Sequence, residues 1–239
     1  MKRPTAPARR HPHRRRAGRR GPAWGWTIAA LTALGLAGCA APPPPAPGSA
    51  TVPPTAAWTR LAYDGGEIAW RHDGSACRLH WRGAIHGAAV GRLRQALEAL
   101  PSTACRQRVA ELEGLDGVLN DAITAGSMLR NRGWDTMLVG STPCPTPCWL
   151  VLAGGVRRAM PDGGSLLLTP LPPDADFARG PCGGEPSRAQ QLTLIRYLGA
   201  MLPDPTASAL HRMVVTADCR HPARLTAGQT RALGLAHAP

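Results

Sequence analysis

The chain contains 239 residues, of which 44% are hydrophobic, and it carries a formal net charge of +13. Residues 1–38 hold nine basic residues and no acidic residue, whereas the remainder carries 19 arginines against 15 acidic residues. The excess of positive charge therefore belongs to a leader segment, which argues against a nucleic-acid-binding domain. Lys2 is the only lysine, so catalysis by a lysine amine is excluded for the rest of the chain.

A mostly apolar run follows the basic leader and ends at a cysteine. Residues 23–37 form a run of about 15 positions, which suits a signal peptide better than a transmembrane helix. The segment Leu36-Ala37-Gly38-Cys39 resembles the lipobox of bacterial lipoproteins. The resemblance implies that residues 1–38 are a signal peptide and that Cys39 becomes the lipidated N-terminus. An ordinary signal anchor is the alternative, and Arg19-Arg20 leaves twin-arginine export open.

Residues 39–57 form a Pro-rich segment between the predicted lipid anchor and the folded part. A segment of this composition cannot form a hydrophobic core, and it favours an extended polyproline II conformation. The segment is therefore predicted to be a tether. A Pro-rich recognition motif is the alternative. Ala40 follows the predicted lipidation site, and by analogy with lipoproteins the absence of aspartate there favours the outer membrane. We therefore expect a lipid-anchored domain, residues 58–239, on the periplasmic face of the bacterial cell envelope.

Strand and helix patterns alternate along residues 58–239. Apolar spacing, turn residues and capping boxes define the elements. The predicted strands span 58–72 (with a turn at Asp64-Gly65-Gly66), 77–85, 108–112, 134–139 and 164–169. The predicted helices span 87–100, 118–133 and 147–153, and two more begin at the capping boxes Ser187/Gln190 and Thr226/Gln229. This order predicts one α/β domain with right-handed crossovers between strands.

Six cysteines remain after Cys39, and an even number in an exported chain predicts up to three disulfides. Chain order favours the pairs Cys77–Cys105, Cys144–Cys148 and Cys182–Cys219, but sequence alone does not fix the connectivity. The Cys-x3-Cys spacing leaves a zinc site as the alternative, although no adjacent histidine supports it. No Gly-x-Gly-x-x-Gly or Walker motif occurs, so the sequence predicts no cofactor and no metal.

Four short motifs follow one another in a fixed order over about residues 76–237. They are Arg82-Gly83-Ala84-Ile85 at a strand end, residues 112–117 at the next strand end, residues 144–148 at a helix start, and Leu225-Thr226 followed by residues 232–235 near the C-terminus. In this order the chain resembles the Clp-protease/crotonase superfamily, and more closely the exported Clp-protease-like proteins of bacteria. The resemblance implies a single domain built as a spiral of strand–helix units.

The resemblance also implies a catalytic site, and this sequence departs from it at three positions. Such a peptidase needs an oxyanion hole of backbone N–H groups, a serine at a helix N-terminus and a histidine base. Asp116 replaces the first of two glycines, and Gly117 retains the second. Thr146 replaces the serine, and the histidine is missing at the end of the 164–169 strand. Thr146, Gly117 and Asp116 are therefore expected to be vestigial, with Thr146 acting as a helix N-cap before a proline.

These losses favour a non-catalytic domain that binds an unknown protein or peptide partner or serves as a scaffold. The alternative is a periplasmic hydrolase with a rearranged site around Thr146, in which Thr146, Ser141 or a free cysteine attacks and a distant histidine assists. The resemblance further implies a possible homo-oligomer through residues 187–239, because members of the superfamily usually assemble as trimers or rings. No nucleic-acid partner is expected.

Overall fold

The structure, a computed structural model, describes residues 57–100, 103, 105–171 and 187–239. The strands are β1 (Thr59–Tyr63), β2 (Gly66–Asp73), β3 (Ala76–Ile85), β4 (Gln107–Gly117), β5 (Asp135–Leu138), β6 (Arg158–Ala159), β7 (Ser165–Leu168) and β8 (Ala223–Thr226). The helices are α1 (Gly87–Ala99), α2 (Leu119–Asn131), α3 (Thr146–Ala153), α4 (Arg188–Met201), α5 (Asp204–Val215) and α6 (Ala227–Ala232). The predicted leader, Cys39 and residues 40–56 lie outside the described residues.

Six strands form the main sheet in the order β1-β2-β3-β4-β5-β6, and β7 pairs with β8 in a second, two-stranded sheet. The pairs β1–β2 and β2–β3 are antiparallel, whereas β3 to β6 run parallel. Helices α1, α2 and α3 connect the parallel strands in turn, which is the connection that parallel pairing requires. The predicted α/β domain is confirmed.

The core lies between the main sheet and its helices. Along β3, Cys77, Leu79 and Trp81 are buried while the alternate side chains point to the other face, as expected for a strand with one packed side. Every residue of α3 is buried, including the fully enclosed Trp149. A helix that is apolar on all sides belongs in the interior, and α3 therefore forms the centre of the domain.

Helix α3 packs closely against α2 through two glycines. A Cβ atom at Gly154 would overlap main-chain atoms of Gly126, so the helices approach more closely than larger side chains would allow. On the neighbouring helix α4, Tyr197 donates a hydrogen bond of 2.7 Å to the carbonyl oxygen of Leu150. Burial raises the pKa of Tyr197, because the phenolate would lose its hydration. These contacts hold the middle and the end of α3 against α4 and α2.

Two of the predicted disulfides are confirmed. Cys77–Cys105 joins Cα atoms 5.5 Å apart, and Cys144–Cys148 joins Cα atoms 5.3 Å apart. Cys219 is also disulfide-bonded, while Cys182, its predicted partner, lies outside the described residues. Within the part of the chain that is described, none of the helices has the length and hydropathy needed to cross a bilayer.

Both predicted capping boxes are present, at Ser187/Gln190 and at Thr226/Gln229. Helix α5 was not predicted, because Pro203 and Pro205 suggest a loop; proline is nevertheless tolerated in the first turn of a helix. Strands β6 and β8 were also missed, since segments of two and four residues give no clear alternation of apolar side chains. Strand β4 ends at Gly117 rather than Leu112, because its pairing with β3 resumes after a register shift.

Candidate active site

The candidate site lies where the parallel strands end and α3 begins. In folds with parallel strands, ligands usually bind beyond the carboxyl ends of the strands. Gly117 is the last residue of β4 and pairs with Ile85, the last residue of β3. Thr146 is the first residue of α3. We therefore ask whether the N–H groups at the end of β4 and the Thr146 hydroxyl at the start of α3 are available to a substrate.

The hydroxyl of Thr146 is fully engaged inside the protein. It donates a hydrogen bond of 2.7 Å to the carbonyl oxygen of Thr169 and accepts one of 2.9 Å from the backbone N–H of Thr169. The backbone N–H of Thr146 donates to the Thr169 hydroxyl at 3.3 Å. Thr146 is 1% exposed. A hydroxyl in this position has no substrate within reach and no base to accept its proton.

This geometry corrects the interpretation of Thr146 as an N-cap. The N-cap of α3 is Pro145, and no side chain makes a capping hydrogen bond there. Thr146 instead joins the start of α3 to the end of β7, 23 residues further along the chain. The resemblance places the nucleophile at Thr146 and the base at the end of β7. In the structure these two positions are adjacent. They are joined by hydrogen bonds between the Thr146 hydroxyl and the main chain of Thr169.

At the end of β4, the N–H groups of Gly117 and Val118 are both engaged inside the protein. The N–H of Gly117 donates to the Asp116 carboxylate at 2.7 Å, and the N–H of Val118 donates to the Ile85 carbonyl at 2.8 Å. Gly117 has φ +146°, and a Cβ atom there would overlap the main chain of Ile85. At the start of α3, Pro147 has no N–H to offer. The Asp116 carboxylate would in addition repel a developing oxyanion.

The other candidate nucleophiles near the start of α3 are Ser141 and the two cysteines of the 144–148 motif. Cys144 and Cys148 form a disulfide, so neither is a free thiol, which corrects the alternative of a cysteine nucleophile at this motif. Ser141 is exposed. No histidine among the described residues is hydrogen-bonded to Ser141 or Thr146: the ring of His80 pairs with Glu113 at 3.0 Å, and that of His86 bonds to the Asp64 carbonyl at 2.7 Å.

A cavity of about 600 Å³ lies at the opposite edge of the sheet. Its lining comes from the ends of α1 and α2 and the starts of β4 and β5, including Arg108, Arg132 and Trp134. Arg108 donates a hydrogen bond of 2.8 Å to the carbonyl oxygen of Arg132 at the end of α2. The guanidinium thus satisfies a helix C-terminus, where positive charge is favourable. This cavity is remote from the strand ends that form the candidate site.

Sequence reasoning missed two features of the structure. The role of Thr169 as the partner of Thr146 carries no local sequence signal, because the pairing depends on where β7 lies. His72 was also missed. One of its ring nitrogens and the two sulfur atoms of Cys77 and Cys105 lie within 4.8 Å of one another. The register that places His72 opposite Cys77 follows from the hairpin turn between β2 and β3.

No protein-family model matches the chain, and no curated protein matches it either. Solved structures do. A variant of the 1510-N membrane-bound stomatin-specific protease aligns with 12% identity and a TM-score of 0.51, over 65% of this chain and 74% of the protease. A second variant of that protease, in complex with a substrate peptide, aligns with 11% identity and a TM-score of 0.50, over 67% of this chain and 72% of the protease.

Crotonase-type enzymes are similar at a lower score. An enoyl-CoA hydratase described as putative, from Streptomyces coelicolor A3(2), aligns with 12% identity and a TM-score of 0.49, over 81% of this chain and 71% of the enzyme. At such identities a structural likeness gives the fold and not the activity. The alignments with the 1510-N protease therefore confirm the predicted fold class, a single α/β domain of the Clp-protease/crotonase-like type.

Proposed function

We propose that the protein is a lipid-anchored component of the cell envelope whose Clp-protease-like domain is a non-catalytic binding or scaffold module. The observation that carries this proposal is the state of Thr146, which is buried and bonded through its hydroxyl to both main-chain groups of Thr169. A nucleophile needs an exposed oxygen and a base that removes its proton. In this domain the hydroxyl stabilises the junction between α3 and β7 instead.

Two further groups support the same conclusion. The Gly117 N–H is bound by Asp116, and Pro147 lacks an N–H, so neither position supplies an oxyanion donor. Loss of one such donor typically lowers the rate by about 10² to 10³. Because nucleophile, base and oxyanion hole act as a unit, the loss of all three leaves no efficient hydrolysis.

Assays of the purified mature protein against casein, mixed peptides and ester substrates test the proposal. We expect no turnover and no labelling by a serine-directed fluorophosphonate probe. The variants Thr146→Ala and Ser141→Ala are run in parallel, with the unmodified protein as reference. Turnover by the unmodified protein that is lost in either variant would contradict a non-catalytic role and support the alternative, a hydrolase with a rearranged nucleophile.

A binding role predicts a partner, and an extended peptide is the chemical class that suits this fold best. A solved structure with the same fold, the stomatin-specific protease variant, is a complex with a substrate peptide. Immobilised protein is therefore incubated with a mixed peptide library, and retained peptides are identified by mass spectrometry. Selective retention at low micromolar concentration is the expected result, and uniform loss on washing contradicts it.

Light scattering at high micromolar concentration tests self-association through residues 187–239, for which a strict monomer is the contradicting result.

The anchor is proposed from the sequence of the leader. Its basic region, its short apolar run and the motif ending at Cys39 support lipidation at that residue, in the outer membrane. One or two acyl chains would hold the domain at the membrane surface without a spanning helix. Metabolic labelling with palmitate should mark the unmodified protein and not Cys39→Ala. Equal labelling of both proteins would contradict the anchor, independently of the peptidase assays.

A further inference from the structure

The Cys77–Cys105 disulfide lies beside the imidazole of His72, which carries an unpartnered nitrogen. Atom Nε2 of His72 is buried, and no hydrogen-bond partner for it is present among the described residues. His72 on β2 stands directly opposite Cys77 on β3. A ring nitrogen of His72 and both sulfur atoms lie within 4.8 Å of one another. A buried polar atom left unpaired is unfavourable and calls for an explanation.

We propose that Cys77, Cys105 and His72 are the ligands of a metal site that exists when the disulfide is reduced, and that the site takes Zn²⁺ or a similar borderline divalent ion. Two thiolates and one imidazole are a donor set that zinc prefers, with a fourth position open to water or another ligand. Such ligands lie about 3.5 to 4 Å apart around a tetrahedral zinc ion. A ring nitrogen of His72 already lies within 4.8 Å of both sulfur atoms, and the two sulfurs, bonded to each other in the disulfide, would move apart on reduction to reach this spacing.

Reduction would leave these ligands in place, because hydrogen-bonded main chain holds all three residues. His72 and Cys77 belong to paired strands. Next to Cys105, the N–H groups of Arg106 and Gln107 both donate to the carbonyl oxygen of Ser75, at 2.8 and 3.1 Å. The two strands and the segment that carries Cys105 are thus tied together by bonds other than the disulfide. Side-chain rotation alone can then bring the ligands to an ion.

The large cavity offers a route for the ion. Cys105 contributes to its lining, together with Arg108 and Arg132. The same cavity supplies room for a water molecule in the fourth position, so the site would be open rather than closed on all sides.

The chemistry balances with a dithiol as reductant. The external dithiol attacks one sulfur of the Cys77–Cys105 bond, forms a mixed disulfide and closes to its own disulfide, which leaves two cysteine thiols. Zn²⁺ then displaces the two thiol protons and accepts the lone pair of neutral His72. Disulfide and metal are mutually exclusive at this site, so the proposal makes metal binding dependent on the redox state. It does not rest on the proposed function.

Cobalt titration of the mature protein tests the site, because cobalt thiolates show a charge-transfer absorption. After reduction with a phosphine, we expect one equivalent of Co²⁺ to produce this band, and Zn²⁺ to abolish it. The oxidised protein should show no band. Cys144→Ala/Cys148→Ala and His80→Ala are matched controls that should retain the band. Cys77→Ala/Cys105→Ala should lose it, and His72→Ala should weaken Co²⁺ binding by about tenfold or more.

Three outcomes would overturn the proposal. The first is a folded, reduced protein without the cobalt band, and the second is a band of unchanged affinity in His72→Ala. The third concerns folding: if the reduced protein loses its far-ultraviolet circular dichroism, Zn²⁺ should restore the signal, because ligand binding to the native state favours folding. If Zn²⁺ failed to restore the signal, or restored it equally in His72→Ala, the metal site would be contradicted. The cluster would then be a structural disulfide beside an unpaired histidine.

Discussion

The Cys144–Cys148 and Cys77–Cys105 disulfides lie beside two polar side chains, Thr146 and His72, that differ in their hydrogen bonding. Next to Cys144–Cys148, the Thr146 hydroxyl is bonded to both main-chain groups of Thr169. Next to Cys77–Cys105, the Nε2 atom of His72 is buried without a partner. The first region lies at the start of α3, where the Thr146 hydroxyl is not free for a substrate, although Nε1 of the neighbouring Trp149 is also buried without a partner among the described residues. The second lies elsewhere and retains a lone pair or a proton for an external ligand.

This difference shows that the place of a site in a fold and the chemical groups that the site needs are determined separately. A fold fixes where strand ends and helix starts meet, but single residues decide whether the groups there face a ligand or one another. Four substitution and titration experiments measure how much stability each region supplies. Each uses equilibrium unfolding or an optical signal of the intact domain.

The largest expected effect is the removal of the Cys77–Cys105 disulfide. Its cysteines are 28 residues apart, against 4 for Cys144–Cys148. In the chain-entropy description, a longer closed loop constrains the unfolded state more strongly, which gives about 3.5 kcal/mol for the first bridge and about 2 kcal/mol for the second. Urea unfolding of Cys77→Ala/Cys105→Ala and Cys144→Ala/Cys148→Ala measures both. A larger loss for the second pair would mean that its local contacts outweigh loop entropy.

The next effect concerns the turn at the end of β4. Gly117→Ala should cost about 2 to 3 kcal/mol, because φ at this residue is +146° and a Cβ atom would overlap the Ile85 main chain. Gly114 is the matched control: its φ is +56°, and a Cβ atom there meets no atom within 4 Å. Gly114→Ala should cost about 1 kcal/mol. Equal losses for the two variants would show that Gly117 is kept for its φ angle alone and not for the close approach of β3.

Much of the fold could be predicted from the sequence, because its signals are local. The alternation of Cys77, Leu79 and Trp81 marks β3, and Ser187 with Gln190 marks the start of α4. The two disulfide pairs that the structure describes followed chain order. Helix α5 carries apolar residues at helical spacing, Ala207, Leu210 and Val214, which could have identified it despite its prolines.

The details of the site depend on contacts between distant residues and could not be predicted in this way. The local sequence around Thr146 does not show whether its hydroxyl caps a helix or bonds to the main chain of a distant strand. Only the position of β7 brings the main chain of Thr169 to its hydroxyl. His72 likewise has no motif around it, and its relation to Cys105 arises from the parallel pairing of β3 with β4. Such contacts follow from tertiary structure and not from periodicity.

A smaller effect measures the hydroxyl of Thr146 itself. Thr146→Val keeps the branched shape and removes the hydrogen bonds to Thr169, whose N–H and carbonyl would remain without these partners. Leaving such buried groups unpaired should cost about 2 kcal/mol. Thr142→Val, at an exposed position of the preceding loop, should change the unfolding free energy by less than about 0.5 kcal/mol. An unchanged stability in Thr146→Val would return this residue to the list of candidate nucleophiles, because its hydroxyl would then be dispensable for the fold.

The last prediction concerns protonation of the two tyrosines, which are the only ones in the chain. Burial raises the pKa of Tyr63 and of Tyr197 above the ordinary value of about 10. A raised folded-state pKa means that the stabilisation is complete below the unfolded-state pKa and is lost as the pH rises beyond it. Absorbance of the phenolate should therefore appear only above about pH 10 and, for Tyr197, together with unfolding. The variant Tyr63→Phe isolates Tyr197, and the protein unfolded in urea supplies the unshifted titration. If Tyr197 ionised near pH 10 in Tyr63→Phe while circular dichroism stayed native, its hydrogen bond to Leu150 on α3 would be open to water, and the first region would be less tightly closed than the hydrogen bonds around Thr146 imply.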